Sequence, residues 1–180
     1  MRNKHKYHFS NKEREESILK MKYVIGFIGA LCLIYVLRQC NNFVIIGLDF
    51  ILKFYTVIGL IFTVLLYRID KEYEKNDYAF IEIYFQKFFT YGSIFLALYI
   101  FTNEYFSDNK EYNITTSILE KIEGKHRSRN EITVKIGESK TNINVHKYNF
   151  EKIQKSNYAI IKFKKGYWNK LLILDTKLVE

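Results

Sequence analysis

Three permanent cations and a histidine stand within five consecutive residues, Lys125, His126, Arg127, Ser128 and Arg129. Arginine offers a planar fork of donors and lysine a point charge, so this density suits capture of a phosphate or carboxylate. The ligand such a cluster takes is an anionic lipid headgroup or an acidic partner protein. Its competing reading is a charged hairpin tip that keeps a turn soluble. Gly124 before the run and Asn130 after it place it in a loop.

Little else in the chain has the spacing of a reactive site. His5 and His8 would share one face of a helix, but no thiol or carboxylate stands at a fixed distance to complete a metal site. There is no glycine-rich phosphate loop, no Gly-x-Ser-x-Gly and no Cys-x-x-Cys. Cys32 and Cys40, eight residues apart, would be held about 12 Å apart along a helix, too far for a disulfide. No catalytic residue, metal ligand or cofactor is therefore expected, and the chain reads as a non-enzymatic binding or assembly protein.

The elements that position the cationic run follow from how the chain is segregated. Across 180 residues the net charge is +9, yet residues 23–102 carry six Lys or Arg against six Asp or Glu. Residues 1–22 carry seven bases against three acids, and residues 103–180 carry fifteen against ten. Three parts result: a basic N-terminal segment (1–22), an apolar helical region (23–102) and a small β domain (103–180). The excess charge favours anionic lipid or protein surfaces, and nothing in its pattern selects nucleic acid.

Within the apolar region, residues 21–37, 43–67 and 83–102 read as membrane-spanning helices. Tyr23, Tyr67, Tyr84 and Tyr105 lie near their ends, as an aromatic belt requires. The third segment is polar in its first half (Glu82, Gln86, Lys87), so lying along the interface is its alternative and the span count is two to three. Residues 1–37 resemble a signal peptide in outline, but no small-x-small cleavage site follows, and an uncleaved helix is expected. Asp49 and Lys53 share one helix face and are expected to pair at headgroup depth. Gly26 with Ala30, and Ser93 with Ala97, put small residues four apart, a signal for close helix packing or for a homo-oligomer.

Beyond residue 103 the period changes to two. Ile114, Thr116 and Ile118, then Ile132, Val134 and Ile136, then Ile143 and Val145 alternate with polar positions. Residues 158–164 and 169–175 complete five strands, with Gly137 and Gly166 at hairpin turns. Asn149 is placed to cap a short helix over 150–155 between the third and fourth strands. The expected fold is thus an α+β membrane protein, its helices followed by a five-stranded β-barrel or curved sheet, with an OB-type barrel as one form. Tyr167 and Trp168 are expected to pack on that sheet, with contact at the membrane interface as the alternative.

Orientation follows from the bases flanking each span. Residues 1–22 hold seven Lys or Arg and residues 68–87 hold four, against one in residues 38–42. The positive-inside rule puts the first two segments in the cytoplasm. Three spans then present the β domain outside an inner or plasma membrane, as an envelope accessory or immunity-type module. Two spans leave it cytoplasmic, as the sensor of a membrane effector whose helices oligomerise to perturb the bilayer.

Overall fold

The structure is a computed structural model that describes residues 3–42, 46–71, 79–124, 129–137 and 139–180. Three long helices come first: α1 (Asn3–Asn42), α2 (Leu48–Lys71) and α3 (Ala79–Tyr105). Then follow β1 (Glu111–Ile122), β2 (Glu131–Ile136), β3 (Ser139–Asn144), α4 (Phe150–Lys155), β4 (Tyr158–Lys165) and β5 (Leu171–Val179). The chain divides into two compact units, Met1–Tyr35 with Ile51–Ala97, and Val36–Phe50 with Leu98–Glu180.

The first unit is helical. The polar N-terminal stretch runs without a break into the apolar part of α1, since no glycine or proline interrupts it before Gly26. α2 starts later than its apolar pattern suggests, at Leu48 just after Gly47, with Asp49 in the first turn where the helix dipole favours an acid. Two stretches, Glu16–Cys40 and Leu48–Asp70, are long and apolar enough to cross a membrane. Only 6% and 17% of their apolar windows are buried, so Phe27, Leu31, Ile34, Val57, Val64 and Leu65 all point outward.

α3 lies antiparallel to α2. Asp70 meets Lys87, Phe62 stacks on Tyr91 with ring centroids 4.2 Å apart, and the Tyr55 hydroxyl is 3.0 Å from Ser93 Oγ. The Ser93 and Ala97 pair lies on this buried face, as its spacing predicts. On α1, however, it is Gly29 that packs: a Cβ there would sit 2.9 Å from the Thr90 side chain, whereas one on Gly26 would meet nothing within 4 Å. Among the described residues of this chain, Gly26 has no such close neighbour and Ala30 is exposed.

The second unit is a curled, five-stranded antiparallel half-barrel of order β3-β2-β1-β4-β5. β1 makes the curl because it serves two partners. Its first half pairs with β4 from Glu111 to Ser117, and its second half pairs with β2 beyond an irregularity between Ile118 and Glu120. The alternating side chains Ile132, Val134, Ile143, Ala159 and Ile161 meet inside, with Val145 and with Ile153 of α4. Asn149 caps α4 by accepting the Lys152 N–H at 3.2 Å. β5 continues to Val179, four residues past its expected end, because Thr176 and Leu178 keep the inward alternation.

The β4–β5 turn is fastened to the last turns of α3 by one buried residue. Asn103 Oδ1 accepts the Trp168 N–H at 2.9 Å and Nδ2 donates to the Lys170 carbonyl at 3.2 Å. The Asn103 carbonyl accepts the Tyr167 N–H at 3.1 Å. Gly166 is required here for space, since a Cβ would fall 2.1 Å from Asn103 Nδ2. The left-handed position of the turn belongs instead to Asn169, at φ 57°. Tyr167 and Trp168 stay well exposed, Trp168 stacking on Tyr99 and donating its indole N–H to Thr102 at 3.0 Å. They therefore pack at the end of α3 and not on the sheet, because the Asn103 clamp turns the hairpin tip toward the helix.

Candidate functional site

Two places in the structure gather charge in a form that can bind. One belongs to the half-barrel unit. Its two edge strands are β3 and β5, and the seam between them holds a cleft of about 310 Å³ lined by Arg38, Arg129, Asn144, His146, Lys147 and residues 173–176. Four basic residues and one acid, Asp175, make it suited to an anion.

Local geometry explains how these groups come together. Asn130 ties the ends of the first loop to the segment after β3: its Oδ1 accepts the Gly124 N–H at 2.9 Å, and its Nδ2 donates to the Tyr148 carbonyl at 3.0 Å. The Val145 N–H bonds the Asn130 carbonyl at 2.9 Å. Arg129 is thereby held near His146, whose ring lies 3.1 Å from Asn144 Oδ1. Across the seam Lys147 donates to Asp175, and Tyr148 donates its hydroxyl to the Thr176 carbonyl at 3.2 Å. The hydrogen bond from Lys147 holds the Asp175 carboxyl below its ordinary value, and the same bond raises Lys147 above its own.

Of the cationic run, Lys125, His126 and Arg127 lie outside the described residues, and Arg129 lines the cleft. Arg38, His146 and Lys147 carry no motif; His146 and Lys147 join the cleft through the strand order, and Arg38 comes from α1. Asp49 and Lys53 lie exposed in the first turns of α2. Among the described residues, no three of His, Cys, Asp and Glu converge as metal ligands would.

The other charged place is inside the helical unit. Asp70, only 2% exposed, lies between Lys22 at 2.6 Å and Lys87 at 2.8 Å. Lys87 meets Oδ2 as an ion pair without the alignment of a good hydrogen bond, and its ammonium sits 5.5 Å from the centre of the Tyr91 ring. A buried carboxylate shared by two buried or half-buried ammoniums is costly to assemble and very costly to break. In sequence Lys22 and Lys87 look like flaws in apolar segments, and Asp70 looks like part of a charged loop. What links them is packing: Lys22 from the middle of α1, Asp70 from the last turn of α2 and Lys87 from the first half of α3 come together only when the three helices pack. Comparison with known protein families, with curated proteins and with solved structures gives no match for this chain.

Proposed function

We propose that the protein is a non-enzymatic, integral membrane protein whose helices present the half-barrel as a module that binds an anionic ligand or an acidic partner. The observation that carries the membrane reading is the outward apolar surface of α1 and α2, with only 6% and 17% of their apolar windows buried. A helix in the core of a soluble protein buries such a surface, since large exposed apolar patches mark interaction with lipid or protein.

α3 is proposed as the third span, although it is not one of the two helices apolar enough on its own. Its 27 residues reach about 40 Å at 1.5 Å each, enough for a hydrocarbon core of about 30 Å. It meets α2 at contacts from Asp70–Lys87 to Tyr55–Ser93, which supports crossing together. Phe101, Tyr105, Phe106, Tyr167 and Trp168, all exposed around the end of α3, have the character of an interfacial belt. With the basic N-terminus cytoplasmic, the half-barrel is then extracytoplasmic. The strand order β3-β2-β1-β4-β5, with α4 between β3 and β4, supports an OB-type assignment. The role in view is that of an envelope accessory or immunity-type protein, with the seam cleft as its binding surface.

The weaker apolarity of α3 favours a second reading, a cytoplasmic half-barrel acting as sensor for helices that perturb the bilayer. Membrane extraction and single-cysteine labelling separate these. In a Cys32→Ser, Cys40→Ser background, an impermeant maleimide added to intact cells should label both Asn41→Cys and Ser128→Cys. Labelling at 41 alone supports the cytoplasmic reading, and release of the protein from membranes by alkaline carbonate refutes both. Changing Lys125, Arg127 and Arg129 together to Ser should weaken binding of an anionic ligand, as should raised salt.

A further inference from the structure

We infer that the helical unit contains a binding site for the phosphate headgroup of an anionic phospholipid, built on Lys87; this rests on the membrane reading above. The site is a cavity of about 100 Å³ beside the stretch of α1 where its apolar part begins, near the end of α2. That is room for several waters or one tetrahedral oxyanion. Its lining has two characters. Ile18, Met21, Ile25, Leu66 and Ile69 are apolar, while Lys22, Lys87, Gln86, Thr90, Tyr91 and Asp70 are polar.

Lys87 directs the choice of ligand. Its ammonium has three N–H donors and is only 6% exposed, and Asp70 Oδ2 lies 2.8 Å away. A buried ammonium needs its donors satisfied, and a phosphate oxygen in the adjoining space meets that need. Gln86, Thr90 and Tyr91 add neutral donors to the same wall. Of the charged residues that line the cavity, Lys22 and Lys87 are cations and Asp70 is an acid. The apolar side of the cavity continues onto the exposed face of α1 at Met21 and Val24, where acyl chains lie. Headgroup pockets of this two-sided kind form between membrane helices on the cytoplasmic side, which is where the proposed orientation puts the N-terminal end of α1.

Gly26 supplies a test that leaves the ion cluster intact. It lines the cavity, and a Cβ on it meets nothing within 4 Å, so a side chain can be started there without a clash, and Gly26→Leu directs its bulk into the space. Full-length protein in neutral detergent is titrated with phosphatidylglycerol, with phosphatidylcholine and with inorganic phosphate, and binding is read by native mass spectrometry and thermal melting. The wild type should bind phosphatidylglycerol at least tenfold more tightly than phosphatidylcholine, and Gly26→Leu should lose that preference while keeping its melting temperature in phosphatidylcholine. Equal binding of the two lipids, or an undiminished preference in Gly26→Leu, overturns the inference. A stabilisation by inorganic phosphate as large as that by phosphatidylglycerol overturns the assignment to a lipid. Extraction of the protein by alkaline carbonate, by contrast, would fail the membrane reading itself.

Discussion

Replacing Asn103 with Ala tests whether one side chain fastens the half-barrel to α3. The substitution removes two hydrogen bonds, from the Trp168 N–H at 2.9 Å and to the Lys170 carbonyl at 3.2 Å, and keeps the backbone bond from Tyr167. Each lost bond is worth about 1 kcal/mol net, and part of the desolvation penalty is added where water cannot reach, so the turn should lose about 2–3 kcal/mol. That corresponds to roughly 30- to 150-fold faster amide exchange at Trp168 if the hairpin opens locally. Trp168 is the single tryptophan, so its emission should shift to the red and its quenching by acrylamide should rise. Ile132 and Val134, at the centre of the core, should keep their protection. Gly166→Ala should break the same clamp from the other side, because its Cβ would fall 2.1 Å from Asn103 Nδ2 and 2.4 Å from Cγ. In the double variant the clashing atoms are absent, so Gly166→Ala should cost far less there than alone, a coupling that distant sites do not show. Additive effects of the two substitutions, or unchanged exchange at Trp168, would refute the clamp.

Val134→Asp puts an unpaired carboxylate at a fully buried position and should abolish folding of the half-barrel; retained exchange protection in β2 would contradict this. Asp70→Asn leaves two ammoniums without their carboxylate and should cost roughly 3–5 kcal/mol. A melting temperature in detergent equal to wild type would show that the cluster does not hold the helices. The Lys147–Asp175 contact should be sensitive to pH in a defined direction. Because the Asp175 carboxyl is lowered from 3.8, its contribution is complete above that value and is lost as acid passes through the lowered pKa. Because Lys147 is raised from 10.5, the alkaline loss comes only above that value. Both side chains are about 40% exposed, so solvent limits the effect to under about 1 kcal/mol; Lys147→Ala should remove the acid-dependent change in β5 amide exchange. Lys125→Ser with Arg127→Ser and Arg129→Ser should shift chemical-denaturation stability by no more than about 0.5 kcal/mol, and a larger loss would mean the loop supports the fold.

The strands and α4 were legible because their information is local. Ile132 and Val134, or Asn149 before Phe150, reveal a period or a cap within a few residues, and the structure uses each in that way. The cleft was not legible, because its residues come from four separate segments, of which only the one with Arg129 stands out in composition. Arg129, His146 with Lys147, and Asp175 meet only when β1 serves two partners and leaves β3 and β5 as edges. Gly166 shows a different failure. A glycine at a turn suggests a left-handed backbone, but Asn169 has that conformation, and the glycine answers to a side chain on a helix more than sixty positions earlier.

The ion cluster bears on the proposed third span. Residue by residue, Lys87 makes the first half of α3 too polar for hydrocarbon, and Lys22 interrupts the apolar part of α1 near its start. Both scores assume that each ammonium meets lipid. In the structure Lys87 is 6% exposed and faces Asp70 of another helix, as Lys22 does from a third. The cost of the charge then depends on the pair and not on the helix that carries it. The carboxylate that lowers it is invisible in sequence, because Asp70 stands at the start of a charged run and reads as loop until α2 is seen to continue to Lys71. In the proposed three-span arrangement α3 crosses against α2, with its ammonium turned to Asp70.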